Sequence, residues 1–178
     1  MKKLNIFLLL LVLLLSSTSS QALDVLLNNT PAQVYFSPHG GCTEAIVKEI
    51  SKAKTEVLVQ AYSFTIKDIA KALSDAHKRG AHCEIILDKS NRSAKYSAGD
   101  FTAHMGIPTY IDAEHAIAHN KIIIIDREMV ITGSFNFSKA AEEKNAENLL
   151  VLANKGLAKA YLDNWNAHKR HSEKYEGR

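Results

Sequence analysis

The sequence lacks a hydrophobic run long enough to cross a bilayer. Its longest apolar core, Ile6–Leu15, has ten residues, against the roughly 20 that a membrane-spanning helix needs. Lys2 and Lys3 precede this core, and a polar Ser/Thr/Gln stretch follows it up to Ala22. This pattern is typical of a secretory signal peptide. We therefore predict a signal peptide over residues 1–22, no stable membrane anchor, and an exported protein that is periplasmic or secreted.

An excess of charge of one sign is also lacking. The 22 Lys and Arg against 19 Asp and Glu give +3, and removing residues 1–22 takes away two lysines and no acid, which leaves +1. Overall charge therefore gives no sign of a polyanionic partner. Any basic surface must be local, either at residues 168–171 or at Lys89, Arg92 and Lys95, and a solvated face is an equal alternative for each.

Cysteine is scarce, since Cys42 and Cys83 are the only two. An oxidising compartment would permit them to pair, and closing a loop of about 40 residues would stabilise the fold by a few kcal/mol. Two isolated thiols are an equal alternative. Residues 23–178 are the size of one domain with an adequate core.

Short apolar stretches alternate with amphipathic ones along residues 23–178. Strands are predicted at Gln33–Ser37, Glu56–Tyr62, His82–Asp88, Pro108–Ile111 and Glu147–Ala153, besides the hairpin described below. Helices are predicted at about 43–54, 65–79, 101–104 and 157–172, with polar loops at 89–100 and 139–145. This alternation predicts an α/β fold in which a mixed β-sheet is sandwiched between helices.

A central hairpin is predicted from Ile122–Ile125, four β-branched residues that fit a strand buried on both faces. Met129–Ser134 is the returning strand, and residues 126–128 hold the turn. A two-residue loop would place Lys121 opposite Ser134 and His119 opposite Asn136. A shift of one residue would put the members of each pair on opposite faces.

The polar groups of this hairpin suit attack on a phosphodiester without a metal. The neutral imidazole of His119 can act as the nucleophile. Lys121 and Asn136 offer a positive charge and hydrogen-bond donors to the non-bridging oxygens, whose charge increases in the transition state.

The spacing H-x-K-x4-D-x6-G-S-x-N over residues 119–136 resembles the HKD motif of the phospholipase D superfamily. The rest of residues 23–178 resembles the small single-motif bacterial endonucleases of that superfamily. The resemblance implies a phospholipase D-like fold and a metal-independent phosphodiesterase without a cofactor. It further implies cleavage of DNA, with RNA as a second candidate, through a phosphohistidine intermediate.

By the same resemblance, His119 matches the nucleophile, and Lys121 and Asn136 match the phosphate-binding pair. Ser134 matches a supporting hydroxyl. Glu147 matches the acidic residue that hydrogen-bonds the histidine and orients its ring.

Asp126 completes the motif, but side-chain alternation along the strand separates it from His119 and Lys121. We therefore expect it to act chiefly in a supporting role, for example through an ion pair that holds the hairpin.

The motif occurs once, although the reaction needs both a nucleophile and an acid that protonates the leaving oxygen. The resemblance implies that single-motif members of the superfamily form homodimers in which the two chains share one site. We therefore predict a homodimer in which His119 of each subunit faces one phosphate, with a bell-shaped rate profile.

Two other functions remain open, namely a phospholipase D that acts on membrane phospholipids and a non-catalytic phosphate-binding module. His115 and His119 have the i, i+4 spacing that would suit zinc on a helix. Because His119 opens a strand and no third ligand is evident, no metal site is predicted. Phe135 and Phe137 either stack on bases or pack in the core.

Overall fold

The computed structural model describes residues 22–95 and 97–178, so the predicted signal peptide, apart from Ala22, lies outside the described residues. The strands are β1 Ala32–Ser37, β2 Glu56–Ala61, β3 His82–Asp88, β4 Thr109–Asp112, β5 Lys121–Ile125, β6 Met129–Gly133, β7 Glu147–Ala153 and β8 Glu173–Tyr175. The helices are α1 Cys42–Lys52, α2 Lys67–Lys78, α3 Gly99–His104, α4 Lys139–Glu143 and α5 Lys155–His171, and a 3-10 turn spans Lys89–Arg92.

All eight strands form one mixed sheet in the order β1-β7-β6-β5-β2-β3-β4-β8. β2, β3 and β4 run parallel to one another, while the remaining neighbours are antiparallel. The predicted α/β fold with a mixed sheet between helices is therefore confirmed.

The isoleucine strand β5 lies at the middle of this sheet and is buried on both faces. Ile123 and Ile125 belong to the core that α1 and α2 cover, whereas Ile122 and Ile124 belong to the core under α5. Trp165 of α5 is held in this second core, because its indole N–H donates to the carbonyl of Val59 at 3.0 Å. Burial of each isoleucine contributes roughly 1.5–3 kcal/mol.

The hairpin register differs by one residue from the predicted one. Ile125 pairs with Met129 and Ile122 with Thr132, so the position opposite Lys121 is Gly133 and not Ser134. The loop holds three residues rather than two. Asp126 and Arg127 both have positive φ, at 53° and 56°, and the amide of Glu128 donates to the carbonyl of Ile125 at 3.0 Å. The third loop residue shifts every pair along the hairpin by one position.

Two elements were missed in the sequence. The predicted polar loop at residues 139–145 contains α4, which Ser138 caps by accepting a hydrogen bond from the amide of Ala141. The polar segment Glu173–Tyr175 adds β8 to the edge of the sheet through pairing with β4. Neither segment is long enough to show a hydrophobic period.

Cys42 and Cys83 are both free and buried in the core that α1 and α2 cover. Of the two alternatives left open by the sequence, the structure shows the isolated thiols. Burial raises the pKa of each to about 11. No helix within the described ranges is long and apolar enough to cross a membrane.

Candidate active site

Five of the six predicted site residues lie at one edge of the sheet, the edge at which the ends of neighbouring strands meet. Because β5 and β6 are antiparallel, and β6 and β7 are too, β5 and β7 begin where β6 ends. The residues gathered at this edge are His119, Lys121, Ser134, Asn136 and Glu147.

Glu147 is the first residue of β7, and other side chains occupy both of its carboxylate oxygens. Ser134 Oγ donates to one oxygen at 2.5 Å, and Asn145 Nδ2 donates to the other at 3.1 Å. The backbone amide of Glu147 donates to Ser37 Oγ at 3.2 Å. The hydrogen bond from Glu147 to His119 that the resemblance implied is absent from the described chain. Glu147 instead holds the Ser134 hydroxyl.

Lys121 is a buried cation, only 6% exposed. Its Nζ donates to the carbonyl oxygen of His119 at 2.8 Å and lies 5.3 Å from the ring centre of Tyr62. Burial lowers the pKa of Lys121, and the negative charge of Glu147 acts in the opposite direction. A desolvated ammonium group beside the site would attract a negatively charged phosphoryl oxygen.

His119 presents an exposed imidazole at this edge. Its ring lies against the phenol ring of Tyr62, with 4.5 Å between centroids and an interplanar angle of 56°. The backbone amide of Tyr62 donates to the carbonyl of Asn120 at 2.9 Å, which joins the end of β2 to the start of β5. The contacts of Tyr62 with both His119 and Lys121 place it in the site.

The chain bends after Gly133, and only glycine fits at that position. A Cβ there would lie 2.3 Å from the carbonyl oxygen of Asn148, and φ is 151°. Both Ser134 and Phe135 donate their amides to that same oxygen, at 3.1 and 3.2 Å. The bend allows the Ser134 side chain to reach Glu147, although the hairpin register places Ser134 one residue beyond the position opposite Lys121.

Asn136 follows the bend, and its Oδ1 is buried without a hydrogen-bond partner among the described residues. An unsatisfied buried amide is costly unless a ligand or water completes it. Phe135 and Phe137 on either side are fully buried. Of the two alternatives for these phenylalanines, packing is therefore the one that the structure shows.

Comparison with known proteins shows the family to which the chain belongs. The family described as "Cardiolipin synthase, PLD-like domain" matches residues 46–169, more than half of the chain. The chain belongs to the phospholipase D superfamily. The crystal structure of a phospholipase D family member, Nuc from Salmonella typhimurium, has a TM-score of 0.80 and 40% sequence identity, covering 83% of this chain and 99% of that one.

Among relatives in the phospholipase D superfamily, a phospholipase D of Rickettsia typhi is 43% identical over 134 residues. The match covers 75% of this chain and 66% of the relative, so the chain spans about two thirds of that protein's length. A mitochondrial cardiolipin hydrolase of Canis lupus familiaris is 24% identical over 127 residues, covering 71% of this chain and 50% of the relative.

Asp126, the aspartate of the HKD motif, lies at the opposite end of β5 from His119. It stands five positions after Lys121 along the strand, or about 17 Å away. Its carboxylate accepts hydrogen bonds from the amides of Lys54, Thr55 and Glu56 and from the Thr55 hydroxyl, at 2.8–3.2 Å. The expected ion pair is made instead by Arg127 with Glu56, at 3.0 Å. Asp126 therefore anchors the hairpin turn to the start of β2.

His115 does not pair with His119 in this superfamily member. It lies in the loop after β4, with its ring 4.8 Å from that of His168 and 5.3 Å from that of His171. The expectation that His115 has no further potential ligands was wrong, because Asp112, His168 and His171 surround it.

Proposed function

We propose that this chain is a metal-independent phosphodiesterase that acts as a nonspecific endonuclease on DNA, with RNA as a second candidate substrate. The observation that carries the proposal is that the exposed imidazole of His119 and the buried ammonium of Lys121 both lie against the ring of Tyr62. This pair supplies a nucleophile and a fixed positive charge, and the described residues form no carboxylate cluster at that edge to hold a metal.

The proposed reaction has two steps. A neutral nitrogen of His119 attacks phosphorus, and the P–O bond to one nucleoside breaks as its oxygen receives a proton from an acid. Water then attacks the phosphohistidine, which releases a phosphate monoester and restores the imidazole. Lys121 and Asn136 bind the non-bridging oxygens, and Ser134, held by Glu147, supports them.

A homodimer supplies the acid in this proposal, since the motif occurs once in the chain. The second imidazole is His119 of the other subunit. An exposed apolar strip on the edge strand β1 supports such contact, because Val34 and Phe36 are 54% and 64% exposed. Phe36 pairs with Asn148, next to Glu147, so the strip borders the site.

Mixing subunits tests the homodimer. The chain is mixed with an equal amount of the His119→Ala chain, denatured and refolded. A shared site then predicts roughly a quarter of the original specific activity, because only dimers with both histidines are active. Independent sites predict roughly half. Sedimentation that shows a fully active monomer under assay conditions would contradict the dimer.

A groove that begins at Thr65, beside the segment that follows Asn136, supports a polyanionic substrate. Its volume is about 970 Å³, and it is lined by two aspartates, Asp68 and Asp75, and by five lysines, namely Lys67, Lys71, Lys78, Lys95 and Lys139. Thr65, also in its lining, donates its amide to the carbonyl of Phe137 at 2.8 Å, one residue beyond Asn136. Lys71 and Lys139 form ion pairs with Asp75 and Glu143. The groove therefore extends away from the phosphate-binding residues, and cationic side chains line it.

A phospholipase D acting on membrane lipids is the second candidate. The names of the Rickettsia and Canis relatives favour it, and so do the apolar side chains of Phe101 and Met105 in the same groove. Acyl chains would contact these two side chains, whereas a nucleic acid would be bound mainly by the lysines.

One comparative assay decides between the substrates. The purified protein is incubated with plasmid DNA, with RNA, and with vesicles of phosphatidylcholine and cardiolipin, each in excess chelator, beside His119→Ala. We expect nicking of the plasmid that persists in chelator and is lost in the variant. Hydrolysis of vesicles without nicking would support the lipid candidate. Inactivity on all three would favour a phosphate-binding module, and rescue by Mg²⁺ would contradict metal independence.

The lysine groove has its own test. Replacing Lys67 and Lys78 by alanine is expected to raise KM for plasmid and to reduce the salt dependence of binding by about one unit of slope per lysine. Lys159→Ala, on the exposed surface of α5 and outside the groove, is the matched control. Equal effects from the control would remove the support that the groove gives.

We also propose export after removal of residues 1–22. Protein recovered from the periplasm or the medium should then begin at Leu23. Intact mass that retains Met1 in the exported fraction would contradict this.

A further inference from the structure

A second cluster of polar side chains lies apart from the hairpin site. It consists of Asp112, His115, His168 and His171, and one potential ligand atom from each lies within 4.8 Å of all the others. Asp112 is fully buried, and His168 is mostly buried, with its side chain 14% exposed. No other such group occurs among the described residues.

The cluster forms where the end of β4 meets the end of α5. Asp112 is the last residue of β4, and His115 follows three residues later. His168 and His171 stand at i and i+3 in the last turn of α5, on one face of the helix. The tertiary structure thus brings together residues more than fifty positions apart in sequence.

Residues 168–171 do not form the basic surface that the sequence left open. His168 and His171 turn toward Asp112, and Lys169 forms an ion pair with Glu84. Arg170 alone of the four is exposed without an ion pair among the described residues.

The three imidazoles converge on one carboxylate. Asp112 Oδ2 lies 2.7 Å from His168 Nδ1, 3.2 Å from His115 Nδ1 and 3.3 Å from His171 Nε2.

The three carboxylate–imidazole separations are close to those around a four-coordinate cation, whereas the widest separation in the cluster, 4.8 Å, would have to shorten on binding. Ligand atoms about 2 Å from a tetrahedral zinc ion lie about 3.4 Å from one another. Three imidazole nitrogens and one carboxylate oxygen form a donor set that suits Zn²⁺, Co²⁺ or Ni²⁺ rather than Ca²⁺ or Mg²⁺, which prefer oxygen ligands alone.

We propose that Asp112, His115, His168 and His171 bind one divalent transition-metal ion, with Zn²⁺ as the best fit, in a closed structural site. Four protein ligands leave no open position, so the ion does not activate water. The site lies on the α5 side of the sheet, as the contact between Asp112 and His168 shows, whereas Lys121 alternates with Ile122 and belongs to the other face.

The ion would tie α5 to the loop that delivers His119. Other contacts already hold this loop, because Lys89 Nζ donates to the carbonyl of His115 at 3.0 Å and the amide of Ala118 donates to Asp88 at 2.8 Å. Metal binding adds a fixed point four residues before the nucleophile. The stability of the native state should therefore rise with metal concentration.

The test measures metal binding by the full chain and does not depend on activity. The chelator-treated protein is titrated with Zn²⁺ by calorimetry and with Co²⁺ by visible absorption. We expect one ion per chain, the intense absorption of four-coordinate Co²⁺, and a thermal midpoint that rises when Zn²⁺ is added. Binding only at millimolar metal, or the weak absorption of six-coordinate Co²⁺, would overturn the site.

Variants locate the ion. His168→Gln and His115→Gln should each weaken Zn²⁺ affinity by more than the roughly 10–100-fold that loss of a group merely hydrogen-bonded to a ligand costs. His115 lies in an exposed loop with its side chain 45% exposed, so its variant keeps the test valid if His168→Gln does not fold. His104→Gln, on the exposed surface of α3, is the control. Affinity unchanged in His115→Gln, or reduced equally in His104→Gln, would refute the assignment.

Discussion

The phenol ring of Tyr62 lies against the imidazole of His119, with 4.5 Å between the ring centroids. The imidazole forms no hydrogen bond with any described residue, so this contact orients it. Tyr62 also lies 5.3 Å from Lys121 Nζ. One aromatic side chain therefore positions both the proposed nucleophile and its neighbouring cation.

Removing this ring should misplace the imidazole. Tyr62→Ala is expected to lower kcat about tenfold with little change in KM, because the ring positions His119 rather than the substrate. Tyr62→Phe keeps the ring and should retain most of the activity. Steady-state kinetics of the two variants provide the test, with circular dichroism to verify folding. Equal losses in both variants would assign the effect to the hydroxyl instead.

The charge of Glu147 should control the ionisation of Lys121. Burial lowers the pKa of Lys121, and Glu147 opposes this, so Glu147→Gln should lower that pKa further. Above the pH range that the His119 pair controls, kcat/KM is expected to show a separate alkaline limb set by Lys121, and this limb should move to lower pH in the variant. Glutamine can still accept the hydrogen bond from Ser134, although its NH2 group cannot accept the one from Asn145.

Glu143→Gln, in the exposed part of α4, removes a charge of the same sign outside the site and serves as the control. An alkaline limb that stays in place in Glu147→Gln, or that moves equally in Glu143→Gln, would contradict the role of Glu147.

Asp126 should stabilise the fold in a pH-dependent way. Burial would raise its pKa, but hydrogen bonds from Thr55, Glu56 and Lys54 lower it below the ordinary value of 3.8. Stability from a lowered carboxyl pKa is present above the ordinary value and is lost as pH falls through the folded value. Asp126→Asn should therefore cost about 2 kcal/mol at neutral pH, and this difference should shrink below about pH 4.

Denaturant unfolding at several pH values measures this difference. Asp163→Asn, which removes an exposed ion pair with Lys159, should cost no more than about 1 kcal/mol. A pH-independent cost for Asp126→Asn would show that the ionised carboxylate is not what holds the turn.

The two cysteines should be inert in the folded protein. Both thiols are buried, and burial raises their pKa to about 11, so little thiolate forms near neutral pH. A thiol reagent at pH 8 is expected to label neither cysteine until denaturant is added and both afterwards. Addition of a reductant should leave the thermal midpoint unchanged, and a lower midpoint would reveal a disulfide.

Local patterns predicted the elements that are long and strongly apolar. β3 and β7 begin and end at the predicted residues, because β-branched and leucine-rich runs bounded by polar residues leave little freedom of assignment. α4 and β8 were missed because they are too short to show a period. β8 exists through its pairing with β4, which the segment itself does not encode.

The register of the central hairpin could not be predicted from its residues. Positive φ is uncommon outside glycine, yet both Asp126 and Arg127 adopt it. Five hydrogen bonds from Lys54, Thr55 and Glu56 to the Asp126 carboxylate hold this turn. The segment 54–56 lies about seventy positions earlier in the chain, so the turn depends on a distant contact.

By itself, the sequence determined the mixed α/β fold, the motif between His119 and Asn136, and the superfamily, because each depends on residue types at short spacing. Only the tertiary structure decided the hairpin register, the place of Tyr62 beside His119, and the convergence of His168 and His171 on Asp112. These relationships join residues distant in sequence, and their distances depend on strand order and helix packing, which no local pattern records.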